Sequence, residues 1–211
     1  MHPKDHWEQV YTTRLAEKLG WYKPRLDTSL AWIEELGLDR SSPLIDVGGG
    51  ASTLVDDLVD AGYESITILD ISENALAASK KRLGRQSELI MWLPGDVTTY
   101  SMPKHRFELW HDRAVLHFFV DPALQRAYRD NLIAALRPGG YAVIAAFAPE
   151  APAKCSGLPV QRYEQHQLAG LLGDEFELRR SHREMHVTPG GVEQMYLYTL
   201  FRRKGAPSEA Q

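Results

Sequence analysis

The chain has 211 residues, 24 Lys plus Arg against 28 Asp plus Glu, a formal net charge of −4 and a pI of about 6.1. That balance argues against a broad electrostatic footprint on DNA or RNA. No apolar run approaches transmembrane length, residues 1–7 hold no apolar signal region, and the single cysteine, Cys155, can form no intrachain disulfide. A cytoplasmic protein with no membrane segment, large enough for one sizeable α/β core, is the expectation.

Residues 5–19 predict a helix with Trp7, Val10, Tyr11, Leu15 and Leu19 on one face, ended by Gly20. Trp21-Tyr22-Lys23-Pro24 reads as an aromatic corner, and Leu26, Leu30, Ile33 and Leu36 as a second helix. An alternation then begins: strand Leu44–Val47, a helix through Leu54–Val59, strand Ile66–Leu69, and a helix capped by Ser72. Leu89–Leu93 and Phe107–His111 read as the third and fourth strands. Asp121-Pro122 is an N-cap followed by proline at the first turn, opening a helix that Arg137-Pro138-Gly139-Gly140 stops before strand Tyr141–Phe147. A proline-rich loop (148–159) and a helix near 160–172 follow. Phe176–Val187 and Val192–Arg203 flank Thr188-Pro189-Gly190-Gly191, a hairpin turn. The expectation is a single doubly wound, Rossmann-like α/β domain, with a mostly parallel seven-stranded sheet and a C-terminal antiparallel hairpin. Residues 1–42 would form a helical cap or lid, 43–204 the domain, and 205–211 a disordered tail.

Pro43-Leu44-Ile45-Asp46-Val47-Gly48-Gly49-Gly50-Ala51-Ser52 is a buried strand running into a glycine turn. Asp70 ends the next strand about twenty residues on, the separation of a ribose-binding acid in a βαβ unit. A dinucleotide fingerprint wants a third glycine where Thr53 stands, which disfavours a nicotinamide oxidoreductase. The stretch Asp46–Ser52 instead resembles the acid-x-G-x-G motif of class I S-adenosylmethionine-dependent methyltransferases, with Ser52 in place of the usual third glycine. That family also ends its sheet in an antiparallel hairpin. The resemblance implies S-adenosyl-L-methionine as cofactor, with Gly48, Gly49, Gly50 and Ser52 close to the nucleoside. Asp46 would lie by the ammonium and sulfonium, and Asp70 with Ile71 at the ribose. Gly95-Asp96-Val97 would put an acid on the adenine amino group and an apolar neighbour against its ring.

Asp5-His6-Trp7-Glu8-Gln9-Val10-Tyr11, Gly20-Trp21-Tyr22 and Gly62–Ser72 are similar to the methyltransferase-like group that includes eukaryotic elongation-factor lysine methyltransferases. Trp110–Phe119 also looks like a signature of small bacterial methyltransferases. Together these resemblances cover roughly residues 5–147. They imply that Trp21 belongs to the cofactor site, and that Asp112 and Arg113 form an acidic–basic pair beside the methionine end. They also imply that the N-terminal helix, with Trp7 and Tyr11, covers the cofactor.

Methyl transfer is an in-line displacement in which the protein mostly aligns and desolvates. A base is needed only for an acceptor that arrives protonated. The candidate catalytic residues are His111, Asp112 and His117, and the candidate substrate contacts Tyr22, His117, Cys155 and Arg162. His105, His111 and His117, six apart, share no helix or strand face, so no metal site is expected. No Asn/Asp-Pro-Pro-Tyr/Phe segment follows the fourth strand, which argues against methylation of a nucleic-acid base. A small-molecule acceptor is the first expectation, a protein lysine the second, and a non-catalytic nucleotide-binding module of the same fold the third.

Overall fold

The computed structural model describes residues 3–205. Helices α1 (Pro3–Thr13) and α2 (Asp27–Glu35) precede an alternation: β1 (Leu44–Val47), α3 (Leu54–Asp60), β2 (Ile66–Asp70), α4 (Glu73–Leu83), β3 (Ile90–Pro94), β4 (Phe107–Arg113), α5 (Pro122–Ala135) and β5 (Leu136–Phe147). A short hairpin, β6 (Lys154–Cys155) and β7 (Leu158–Pro159), leads to α6 (Gln165–Leu172). The long pair β8 (Phe176–Val187) and β9 (Glu193–Arg203) closes the fold.

The main sheet has seven strands in the order β3-β2-β1-β4-β5-β9-β8. The first five are parallel, and β9 inserts antiparallel between β5 and β8. Every residue of β1 and β2 is buried, as expected of parallel strands covered on both faces. Two apolar layers result. On one face Leu30 and Ile33 of α2, Leu54 and Leu58 of α3 and Leu76 of α4 pack on Leu44, Ile66, Leu109 and Val143. On the other, Tyr128 and Leu132 of α5 and Leu168 of α6 pack on Ile45, Val47, Trp110 and Ile144. The expected caps form: the Ser72 hydroxyl accepts from Ala75 N and the Asp121 carboxylate from Ala123 N. The main strand order reverses between β1 and β4, so the crevice at their carboxyl ends is where an open α/β sheet places its ligand.

Several boundaries differ from the sequence reading. The first helix stops at Thr13, not residue 19. Thr12 and Thr13 turn their hydroxyls back onto the Glu8 and Gln9 carbonyls, and Leu15, expected on the buried face, is 70% exposed. Of the expected 1–42 cap, α2 joins the main core, so only α1 stands as a cover. Strand β3 starts at Ile90 because Leu89 points outward. The 148–159 loop folds its tip into the β6–β7 hairpin, with Ser156 and Gly157 in the left-handed region at φ 50° and 80°. The helix expected near 160 begins at Gln165, where Glu164 and Gln167 form a capping box. The expected tail lies, from residue 206 on, outside the described residues.

Candidate functional site

Two adjoining cavities open at the carboxyl ends of β1, β2 and β4. The larger, about 300 Å³, is lined by Leu69, Asp70 and Ile71 after β2, by Asp96 and Val97 after β3, and by Ala114, Val115, Phe118 and Phe119 after β4. His6, Trp7 and Tyr11 of α1 and Leu158 of β7 also line it. The smaller, about 30 Å³, lies among Trp21, Tyr22, Lys23, Asp46, Gly48, Gly49, Ser52, His111 and Arg113. Trp21 and Gly48 line both.

The glycine turn shapes the wall between them. Gly48 sits at φ 68°, and a Cβ there would run into the Val115 side chain. Gly50 donates its N–H to Asp70 Oδ2 at 2.9 Å, and a Cβ at Gly50 would come within 2.6 Å of Ala75 Cβ. Gly50 thus helps hold Asp70 rather than lining either cavity. The other oxygen, Asp70 Oδ1, accepts from Ser72 N at 2.8 Å. Burial pushes the Asp70 carboxyl up to about 6, against the pull of those two N–H bonds. Asp96 is half-buried and orients itself by accepting from Thr98 N and Oγ1 through one oxygen.

Asp46 faces α2 from β1 and is buried. His111, its register partner on β4, is hydrogen-bonded through Nδ1 to Asp46 Oδ1 at 2.6 Å and through Nε2 to Ser29 Oγ of α2 at 2.9 Å. Asp46 Oδ2 is buried with no partner among the described residues, and Asp46 lines the smaller cavity. Arg113 donates Nε to Tyr198 Oη and Nη1 to the Trp21 carbonyl, and its Nη2 is also unpartnered. A carboxylate oxygen and a guanidinium nitrogen are therefore both unpaired around one small space.

Five expected site residues meet contrary geometry. Asp112 is fully buried, accepts from Val115 N, Leu116 N and Tyr128 Oη, and lines neither cavity. It fixes the turn that presents Ala114, at φ 73°, to the larger cavity. His111 has both ring nitrogens bonded, so it is an orienting group for Asp46 and not a free base. His117 is fully buried, and desolvation with the neighbouring Arg113 charge holds its imidazole down at about 3, too weak a base for catalysis near neutrality. Arg162 is pinned to the Pro149 and Ala151 carbonyls and serves the loop. Cys155 is buried, with its thiol pushed up to about 12 by desolvation, so it is no nucleophile.

The sequence reading missed how α1 is attached. Glu8 caps the N-terminus of α4, accepting from Ser72 Oγ at 3.0 Å, Glu73 N at 2.7 Å and Asn74 N at 3.2 Å. It also missed His6, whose Nε2 is buried without a partner among the described residues and which lines the larger cavity. The available signal was helical spacing, since His6, Trp7 and Tyr11 lie within one turn and a half. Trp7 packs edge-on to Trp21 and Phe118, with ring centroids 5.5 and 4.9 Å away.

Comparison with known proteins agrees with this geometry. The methyltransferase-domain family model matches residues 44–140. The eEF1A lysine and N-terminal methyltransferase of Mus musculus is 28% identical over 112 residues, 53% of this chain and 16% of that protein. This chain thus matches only a small part of that relative's length. Among solved structures, one described as "Conversion of a Disulfide Bond into a Thioacetal Group during Echinomycin Biosynthesis" superposes with a TM-score of 0.76 at 18% identity, covering 98% of this chain and 94% of the other. The Burkholderia thailandensis 1,6-didemethyltoxoflavin-N1-methyltransferase, with its substrate and S-adenosylhomocysteine bound, gives a TM-score of 0.68 at 22% identity, covering 95% and 84%. Among the described residues no helix is long and apolar enough to cross a membrane.

Proposed function

We propose that this class I S-adenosylmethionine-dependent methyltransferase transfers its methyl group to a small-molecule nucleophile. The observation that carries the cofactor's placement is the unpartnered, buried Asp46 Oδ2 at a small cavity adjoining a larger one that Asp70 lines. A buried carboxylate oxygen needs a donor, and an α-ammonium supplies one. Arg113 Nη2 is placed for the α-carboxylate of the same amino-acid head. Asp70, held by two backbone N–H groups, keeps lone pairs for the ribose hydroxyls. Asp96 has one oxygen left for the adenine amino group, with Ile71 and Val97 as apolar walls. Tyr22 and Ser52 border the amino-acid end.

Bound there, the cofactor would supply an electrophilic sulfonium methyl for in-line transfer to a lone pair of the acceptor. The protein's share is alignment and exclusion of water. Trp7, Tyr11, Trp21 and Phe118 wall the larger cavity with aromatic faces, which suit a sulfonium cation. The near end-to-end match with a small-molecule N-methyltransferase favours a small-molecule acceptor. The lysine reading draws on relatives of which this chain matches about a sixth.

The test is a labelled-methyl assay over cell extract split by size. Label in the small-molecule fraction supports the proposal. Label confined to protein shifts the acceptor to a side chain and overturns it.

A further inference from the structure

Among the residues that line the smaller cavity, Asp46, Arg113, Lys23 and His111 are the ones able to carry charge at neutral pH. Lys23 is already matched, by Glu184 at 2.9 Å. Asp46 and Arg113 offset each other, and each keeps one buried atom without a partner among the described residues, Oδ2 and Nη2. What His111 carries therefore decides the net charge around the cavity.

The proton count of His111 follows from Ser29. This serine of α2 is fully buried and lines neither cavity. Its hydroxyl meets His111 Nε2 at 2.9 Å and has no other partner among the described residues. A buried hydroxyl places its proton on an acceptor, and the Nε2 lone pair is the one it meets. Ser29 thus donates, and Nε2 bears no proton. Nδ1, 2.6 Å from Asp46 Oδ1, then holds the ring's single proton and donates it to the carboxylate. An imidazolium would strand the Ser29 proton in the core and set a second cation beside Arg113. No other group competes for the ring. Its register partner on β5 is the apolar Val143, and the next acid along β4, Asp112, is filled by three other donors.

With His111 neutral, Asp46 keeps its full charge, one oxygen fixed by the imidazole N–H and the other left over. The cavity is then neutral overall, with one negative and one positive group unpaired, which fits a zwitterion. An imidazolium would make it cationic and favour a head that lacks an amino group.

We propose that Ser29 is a positioning residue that holds His111 as its Nδ1–H tautomer and so makes the smaller cavity selective for an α-amino acid head. This deepens the methyltransferase reading and rests on it for the ligand whose head enters there. Without the Ser29 donor, Nε2 takes a proton. The ring then either neutralises Asp46 as an imidazolium or turns the bare Nδ1 lone pair toward it, and both weaken the hold on an ammonium.

Histidine-¹⁵N NMR on the free wild-type protein reads the tautomer without any ligand. The expected result at neutral pH is a protonated Nδ1 and an unprotonated Nε2 on His111, with Nε2 protonated in Ser29→Ala. A protonated Nε2 in wild type overturns the proposal, whether or not the variant folds. Calorimetric titration reads the selectivity with two probes, S-adenosylhomocysteine and 5′-methylthioadenosine, which keeps the adenosine and lacks the amino-acid head. Ser29→Ala should weaken S-adenosylhomocysteine at least about fivefold, as expected for a blunted charged hydrogen bond, while 5′-methylthioadenosine stays within twofold. Loss of both probes alike, or of neither, reduces Ser29 to packing and overturns the proposal. If wild type binds S-adenosylhomocysteine no more tightly than 5′-methylthioadenosine, the amino-acid head does not enter the smaller cavity. That result overturns the cofactor's placement and the selectivity with it, while the wild-type spectrum still reads the tautomer.

Discussion

The ends of β2 and β4 carry the same kind of group in two different situations. Asp70 and Asp112 are both buried aspartates at strand ends, and desolvation pushes both carboxyls up to about 6. Asp70 is held by two backbone N–H groups and lines the larger cavity. Asp112 is held by two backbone N–H groups and the Tyr128 hydroxyl, and lines none. Burial and a shifted pKa are thus common to a ligand-facing acid and a scaffold acid. What separates them is whether unfilled lone pairs face open space.

The sharpest break of that comparison is truncation of each acid. Asp112→Ala strands three buried donors, each costing roughly 1–3 kcal/mol if left unpaired. Part of that is offset by removing a desolvated charge, so stability should fall by about 3 kcal/mol. The folded fraction should still bind S-adenosylhomocysteine with near wild-type affinity. Asp70→Ala should do the reverse. Losing charged hydrogen bonds to two ribose hydroxyls, roughly 1.5–3 kcal/mol each, lowers affinity at least about tenfold. Urea melts and calorimetric titration read the two effects separately. A large affinity loss in folded Asp112→Ala would return Asp112 to the cofactor site.

Acid titration comes next. Both carboxyls have folded pKa values near 6, above the ordinary 3.8 of an exposed aspartate. The folded state therefore binds more protons than the unfolded chain between those values. These two groups make stability fall as pH rises from about 4 to 6, with the cost of ionisation fully present above 6. Cofactor affinity runs the other way, because the ionised Asp70 is the stronger acceptor for ribose hydroxyls. Affinity for S-adenosylhomocysteine should rise between pH 5 and 7, and Asp70→Asn should flatten that rise. Asp112→Asn should leave it in place. His117, held near 3, adds no limb close to 6.5 to any rate profile.

Much of the frame was legible because its signals are local. The β8–β9 hairpin was readable from its turn, α4 and α5 from Ser72 and Asp121-Pro122, and the place of Asp70 at the end of β2, on the larger cavity, from its distance to the glycines. The misreadings are long-range. Asp112 looks like a cofactor acid until Tyr128, sixteen residues on, is seen to fill it. His111 looks like a free base until Asp46 and Ser29, 65 and 82 residues earlier, are found on its two nitrogens. The unpartnered His117 Nε2 and Tyr196 Oη come from segments 79 residues apart by number, and spacing along the chain cannot report that neither meets a partner among the described residues.

Asp96 gives a smaller effect of the same kind as Asp70. It is half-buried, and one of its oxygens is occupied by Thr98, so a single oxygen is left for the proposed contact with the adenine amino group. Asp96→Ala should weaken S-adenosylhomocysteine by about tenfold, and Asp96→Asn, which keeps a neutral acceptor, by less. Equal affinity in wild type and both variants would put Asp96 outside the site.

The mildest expected effect concerns the cover. Glu8 joins α1 to the start of α4, three residues past Asp70, and α1 itself contributes no fully buried side chain. Burial raises the Glu8 carboxyl, but the Glu73 and Asn74 N–H groups and the Ser72 hydroxyl outweigh it, so its pKa lies below the ordinary 4.5. A carboxyl with a depressed folded pKa contributes stability above its unfolded value and loses it as pH falls through the folded one. The latch is therefore fully engaged at neutral pH. Its anchor is also favoured by the positive end of α4, an interaction of roughly 0.3–1 kcal/mol at a partly exposed site. Glu8→Gln keeps the length and one acceptor oxygen but removes the charge. Global stability should change by less than about 1 kcal/mol, while S-adenosylhomocysteine dissociates about two- to fivefold faster, a factor set by that same energy. Stopped-flow displacement measures the rate directly. If dissociation is unchanged while hydrogen exchange shows α1 detached, the helix does not gate the cavity, and the aromatic wall formed by Trp21 and Phe118 retains the cofactor unaided.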